Sequence, residues 1–197
     1  DAHSPPKLGR EATCYDTQLS YTAMYEALKT RDPERFTGTI EFYPEHGKYH
    51  LDGHRKCGIC WTPSQTLAAD GLCPVCGGTL PVGVLHRVEL LADRALHEST
   101  LQRRFEYLIP LDEVIGSCVG VGPKSKRVQT IYHGLLQQLG PELEILRHVE
   151  PQRIAQCGQP LVAEGIRRMR EGRVAIGAGY DGEYGVVTVF TEQERKQ

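Results

Sequence analysis

No stretch of this chain approaches the roughly 20 consecutive apolar residues that a membrane-spanning helix needs, which argues against insertion into a bilayer. A basic segment leading into an apolar one is also missing, so nothing marks the chain for secretion, and a cytoplasmic setting is expected. There is no internal repeat and no low-complexity tract. Nor is there an excess of positive charge: the net charge of −2 argues against a histone-like blanket affinity for nucleic acid, although local basic surfaces remain compatible with it. What is present is an ordinary globular composition, 40% hydrophobic and 24% charged over 197 residues, enough for one large domain or two to three small ones. Seven cysteines in a chain without secretion signals point to metal binding before disulfides.

The chain opens on Asp1 rather than Met, directly inside a motif of functional character, and reads as a piece cut from a longer protein. Pro5-Pro6 forces an extended exit. Tyr21 to Lys29 has helical composition, Asp32-Pro33 interrupts it, and Thr37 to Tyr43 alternates as a short strand. A polar, His-rich connector leads to the cysteines. Beyond them Val84, Val88, Leu91 and Ala95 place an apolar stripe on a helix, expected to face the cysteine unit or the preceding domain. Leu101 to Pro110 reads as a link. Val128, Ile131, Leu135 and Leu139 line one face of a helix stopped by Gly140, and Pro141 opens the next. A further helix spans Pro160 to Glu171, with Val162, Ile166 and Met169 on one face and Gly172 ending it. Gly177 to Gly182 reads as the turn of a closing hairpin.

Cys57-Gly-Ile-Cys60 and Cys73-Pro-Val-Cys76, twelve residues apart, form the strongest chemical signal. Two such knuckles can present four thiolates to one tetrahedral Zn²⁺ as a closed structural site. Cys14, Cys118 and Cys157 have no partners at ligand spacing and read as core or incidental thiols. Asp1 and His3, at i and i+2 of a strand, would point to one face and could offer a carboxylate and an imidazole to a metal; a surface Asp and an incidental His fit the pair equally. Gly120-Val-Gly122-Pro-Lys124-Ser125-Lys126 fits the hairpin of a helix-hairpin-helix DNA-backbone binder, and also a plain turn before a helix. Basic residues gather at Lys48, His50, His54, Arg55 and Lys56, at Lys124, Lys126 and Arg127, and at Arg167, Arg168, Arg170 and Arg173; short runs of this kind are commonly solvated faces.

With these residues stated, the whole chain resembles the endonuclease Q family, enzymes that cut DNA beside deaminated bases. The resemblance is carried by Asp1-Ala-His-Ser-Pro, residues 7–13, residues 45–57, the two cysteine knuckles, residues 82–94 and Gly179-Tyr-Asp-Gly-Glu-Tyr-Gly. It implies an α+β protein with three parts: 1–45, the end of a PHP (β/α) barrel; 46–98, a zinc-ribbon-like unit with four cysteine ligands; and 99–197, a mainly helical DNA-binding domain closed by a β-hairpin. It further implies that Asp1 and His3 belong to the last metal motif of a barrel holding divalent catalytic metals (Zn²⁺, Mg²⁺ or Mn²⁺). The earlier barrel ligands are not in this sequence, so the chain alone is expected to bind DNA without cleaving it, its missing N-terminal barrel being needed for catalysis. The partner implied is damaged double-stranded DNA, nicked 5′ to deoxyuridine, deoxyinosine, deoxyxanthosine or an abasic site. Lys48, Tyr49, His50, His54, Arg55, His86 and Arg87 are candidate DNA or damaged-base contacts, since they concentrate polar donors and ring faces beside the zinc unit. Two rival readings are a non-catalytic zinc-ribbon module gripping DNA or a protein, and a PHP phosphoesterase acting on small phosphate esters.

Overall fold

The computed structural model describes Pro5, residues 8–94 and residues 105–195, a mixture of helices and small sheets of α+β type. Asp1, His3 and Ala95 lie outside the described residues. None of the described helices is long and apolar enough to cross a membrane.

The chain divides into two compact units, and the division is not linear. The first takes residues 8–42, 105–173 and 189–195; the second takes residues 43–94 and 174–188. The hairpin that the sequence places at the end of a helical C-terminal domain therefore belongs with the cysteines. Backbone hydrogen bonds account for this: Gly179 N–H donates to Glu45 O (2.8 Å), Leu51 N–H to Gly179 O (3.0 Å) and Gly185 N–H to His46 O (3.1 Å). Side chains at Gly179 and Gly185 would collide with the carbonyls of Gly47 and Glu45, so only glycine lets these backbones approach so closely.

In the first unit, β1 (Ala12–Tyr15) pairs antiparallel with β2 (Phe36–Glu41), and β2 pairs parallel with β5 (Phe105–Tyr107). Between β1 and β2 runs α1 (Tyr21–Thr30), capped by the Ser20 hydroxyl, which accepts from Ala23 N–H, and ended by Arg31 in the left-handed region (φ 54°). The rest of this unit is helical: α4 (Leu111–Val119), α5 (Lys126–Leu139), α6 (Glu142–Arg147), α7 (Pro151–Gln156), α8 (Pro160–Arg170) and the short α9 (Glu192–Arg195). Its core is aliphatic, with Leu111, Val114, Ile115, Val128, Leu135, Ile145, Ile154 and Ile166 all at 1% exposure or less. Val128 and Leu135 confirm the expected inner face of α5, and Val162, Ile166 and Met169 that of α8.

The second unit holds the two-stranded sheet β3 (Asp52–His54) and β4 (Ile59–Trp61), the helices α2 (Pro63–Ala68) and α3 (Val84–Leu91), and the hairpin β6 (Ala175–Gly177) and β7 (Val186–Thr188). The apolar stripe of α3 behaves differently from expectation. Val84, Val88 and Leu91 are 56–64% exposed, and the residue that α3 buries is His86. A buried partner, Asp52, draws His86 inward.

Candidate metal centre and nucleic-acid interface

Three of the four knuckle cysteines converge in the second unit, and the fourth member of the group is a histidine. The ligand atoms of His54, Cys57, Cys73 and Cys76 all lie within 4.8 Å of one another. A tetrahedral Zn²⁺ with Zn–S of about 2.3 Å has ligand-to-ligand edges of about 3.8 Å, so a small contraction closes the shell. Cys60, one of the four expected ligands, is not in this group, and His54, expected at a DNA surface, is. The reason lies in sheet alternation: in the β3–β4 register Gly53 faces Cys60 and His54 faces Ile59, so Cys60 and His54 project from opposite faces. His54 and Cys57 are themselves separated by three positions, the same step as Cys73 to Cys76.

Local chemistry shapes both knuckles. After Cys57, Gly58 adopts φ 66° and returns its N–H to Arg55 O. Around the second knuckle Cys73 N–H donates to Gly78 O (2.7 Å) and Gly77 N–H to Cys73 O (2.8 Å), with Gly77 at φ 71°. His54 Nδ1 lies 3.4 Å from Cys76 Sγ. Burial works against ionisation of Cys73, but hydrogen bonds from the Cys76 backbone and the His54 ring outweigh it and bring the thiol down to about 6. Burial and the neighbouring Cys76 and Cys73 push Cys57 up to about 11. A soft, partly ionised three-sulfur, one-nitrogen set of this kind suits Zn²⁺, whose binding displaces the remaining thiol protons.

Beneath the knuckles a buried pair fixes α3. Asp52 is fully buried; its Oδ1 accepts Gly83 N–H at 2.7 Å and its Oδ2 lies 2.6 Å from His86 Nδ1. Gly83 sits so close to the His50 and Leu51 backbone that no side chain fits there. His86, expected at a DNA surface, is thus an internal strut. Replacing Asp52 with Ala strands two buried donors and is expected to cost about 3 kcal/mol. Urea unfolding followed through Trp61, the sole tryptophan and the β-partner of Asp52, measures it; Asp52→Asn, which keeps the acceptor for Gly83, is expected to lose less.

The other candidates of this unit are spread over its surface. Arg87 is exposed, His50 half-buried, and Arg55 exposed with its backbone N–H donating to Asp181 Oδ2 at 2.7 Å. Lys48 Nζ lies over two rings, 5.3 Å from the Tyr49 centroid and 5.6 Å from that of Tyr184. Tyr184, 74% exposed, was not singled out from sequence; it comes to Lys48 from the far hairpin, and only its exposed aromatic character next to a charge signals it.

In the first unit the Gly120 segment is a true hairpin between helices. Gly120 at φ 73° ends α4, its N–H and that of Val121 donate to Gly116 O, and Gln129 Nε2 donates to Pro123 O. Ser125 caps α5 by accepting Val128 N–H. A Cβ at Gly116 would lie 2.8 Å from Val121 O, so that glycine lets the turn fold back. Lys124, Lys126, Gly122 and Val121 are exposed. No ion pair engages Lys124 or Lys126 among the described residues, whereas the third basic run is internally consumed. Arg167 pairs with Glu164 and Glu171, Arg168 with Glu164 and Glu194, and Arg173 with Glu171. Arg170 donates to the carbonyls of Leu146, Ile145 and Val149 at the end of α6. Charge run alone does not separate these two cases; helical spacing of Glu164 and Glu171 around the arginines does.

Residues 110–173 match the family described as the MJ0043 C-terminal domain. The chain is 31% identical over 196 residues to the uncharacterised protein MJ0043 of Methanocaldococcus jannaschii, covering 95% of this chain and 24% of that protein. It is 29% identical to the uncharacterised protein YqxK of Bacillus subtilis, covering 95% and 45% respectively. Among solved structures it superposes on the lesion-specific endonuclease PfuEndoQ of Pyrococcus furiosus with a TM-score of 0.82 at 28% identity, over 98% of this chain and 48% of that one. A second is endonuclease Q in complex with a 27-mer duplex carrying an abasic lesion at its active site, with a TM-score of 0.76 at 28% identity, over 98% and 49%. The chain thus spans less than half the length of each of these relatives. Over that span the chain is similar to endonuclease Q in both fold and sequence.

Proposed function

We propose that this chain is the DNA-holding part of a lesion-specific endodeoxyribonuclease that hydrolyses the phosphodiester 5′ to abasic sites and to deaminated bases such as deoxyuridine, deoxyinosine and deoxyxanthosine. The observation that carries this reading is the superposition on an enzyme of that kind over 98% of the chain at a TM-score of 0.82. The unpaired lysines of a helix-hairpin-helix turn supply the physical means, because exposed ammonium groups beside a glycine turn engage backbone phosphates irrespective of sequence.

In this reading residues up to about 45 close a PHP-type barrel, and Asp1 and His3 contribute ligands to its divalent catalytic metals. Such metals activate water and neutralise charge developing on the phosphate. Two ligands do not assemble a multi-metal centre, so nicking is expected of protein that also carries the other barrel ligands. His54, Cys57, Cys73 and Cys76 hold a structural Zn²⁺ that shapes the second unit. Tyr49 and Tyr184, exposed on either side of Lys48, offer ring faces to an unstacked base, while Arg55 and Arg87 offer donors.

The test is binding of the 197-residue chain to labelled duplexes with one abasic site, deoxyinosine or deoxyuridine, against undamaged duplex, across a salt series with Mg²⁺ or Mn²⁺. Tighter binding to lesion duplex is expected; equal failure to bind any duplex would overturn the reading. Neutralising Lys124 and Lys126 together is expected to flatten the salt dependence by about 1.8 in log–log slope, equally on damaged and undamaged DNA.

A further inference from the structure

We infer that a second helix-hairpin-helix turn, Cys157-Gly158-Gln159, joins the Gly120 turn to form a cleft that takes a backbone phosphate of duplex DNA between Arg127 and Arg195. The inference rests on the DNA-holding role proposed above and gives that role a second site.

Helices α7 and α8 repeat the arrangement of α4 and α5. The α7 helix ends with Cys157 N–H donating to Ile154 O (3.2 Å) and Gly158 N–H to Ala155 O (2.9 Å), and Gly158 turns the chain at φ 79° into α8. The two pairs are bound to each other through α4 and α8. Gly165 permits this approach: a Cβ there would meet Cys118 Sγ at 3.1 Å and Val114 Cγ1 at 3.4 Å. Cys118, near the end of α4, donates its thiol to Leu161 O, near the start of α8 (3.4 Å). That contact places the end of α4, where the first turn begins, beside the start of α8, where the second turn ends.

Between the turns lies a cleft of about 450 Å³ whose walls include Val119, Arg127, Gln159, Pro160, Leu161 and Arg195. Among the described residues no carboxylate lines it. The Arg195 guanidinium rests against the first turn, 2.9 Å from where a Cβ on Gly120 would stand, so the glycine leaves room for it. Among the described residues neither Arg127 nor Arg195 enters an ion pair, in contrast to Arg167 and Arg168 of α8, which are met by Glu164, Glu171 and Glu194. Two free guanidinium groups at one concave, carboxylate-free surface fit the tetrahedral oxygens of a phosphodiester, which accept forked donors. Paired turns give a duplex two backbone footholds, and a footing of this kind fixes register without reading bases.

The experiment is a salt series of anisotropy titrations with the 197-residue chain and abasic-site duplex, comparing wild type with Arg127→Gln, Arg195→Gln, Gln159→Glu and the control Arg167→Gln. Each cleft arginine variant is expected to flatten the log–log salt slope by about 0.9 and to weaken binding about tenfold at low salt. Gln159→Glu, nearly isosteric, introduces a carboxylate into the cleft and is expected to weaken binding at least as much; Arg167→Gln is expected to leave the slope unchanged. Helical circular dichroism equal to wild type confirms folding of each variant. If wild type binds and the cleft variants keep its slope and affinity, the cleft is not a DNA site, while the DNA-holding role stands. If wild type binds no duplex, the role falls and the cleft proposal with it. Inorganic phosphate titrated onto the chain is expected to show no saturable binding; saturable binding lost in both arginine variants, with DNA affinity retained, would make the cleft a free-phosphate site and overturn the proposal.

Discussion

Stripping the metal from the 197-residue chain with a strong chelator is expected to unfold the second unit while most of the helical signal of the first survives. The elements around the ligands are short: β3, which ends on His54, and β4 have three residues each, and α2 has six. Elements so short do not bury enough apolar surface to hold themselves together. Metal binding contributes roughly 10–16 kcal/mol in small zinc modules, more than such a unit can replace by packing. Trp61 lies in β4, so its fluorescence reports this unit alone, while α4, α5 and α8 dominate the ellipticity of the other. The variants separate the two possible ligand sets. His54→Ala is expected to lower zinc occupancy and to destabilise the Trp61 transition, and Cys60→Ala to leave both near wild type. Cobalt substitution gives an independent reading, because the sulfur-to-metal charge-transfer intensity per ion counts thiolates. Three thiolates are expected in wild type and in Cys60→Ala. Four in wild type, falling to three in Cys60→Ala, would restore Cys60 as a ligand and remove His54.

The contrast between Cys60 and His54 shows how far the sequence reached. Two CxxC steps are visible as a metal signature because their spacing is local, yet His54 stands at the same spacing from Cys57, and nothing in the string decides which neighbour completes the shell. The β3–β4 register, which no local pattern reveals, is what puts Cys60 and His54 on opposite faces. The same holds for α3. Its apolar spacing was legible, but Asp52, more than thirty residues upstream, pulls His86 inward and leaves Val84 and Val88 exposed. The α5 and α8 faces were legible because burial there follows helical period alone. The helix before the Gly120 turn, α4, was poorly marked by Gly116 and Ser117, and the strand β5 was read as a link. Both are secured by tertiary contact: β5 by parallel pairing to β2, and the turn after α4 by the fit of Gly116 under Val121. The assembly of the second unit from distant segments is likewise a matter of backbone bonds made by Gly179 and Gly185, whose roles no local pattern reveals.

Glu142→Ala is expected to cost the first unit about 3 kcal/mol. Glu142 opens α6 and gathers four donors. Arg10 meets it with a fork at 2.5 and 3.1 Å, Leu111 N–H donates at 2.9 Å, and Tyr132 OH donates at 3.0 Å. The Leu111 bond satisfies the first orphan N–H of α4, which begins after Pro110 and has no side-chain cap of its own. Truncation therefore takes the fork from Arg10 and removes the acceptor of a helix start and of a phenol together, in the range measured for broken buried ion pairs. Burial raises the Glu142 carboxyl, but the Arg10 and Leu111 hydrogen bonds outweigh it and hold it below its ordinary value of 4.5. A carboxyl lowered in the folded state stabilises most above its unfolded value and loses that contribution as pH falls through the folded one. Wild type is therefore expected to lose stability as pH falls below about 4.5, and Glu142→Gln to show a shallower decline over the same window. Chemical denaturation followed by helical ellipticity between about pH 3 and 7 checks both. Equal pH slopes in wild type and Glu142→Gln would show that the carboxylate is not what ties Arg10 to the helices.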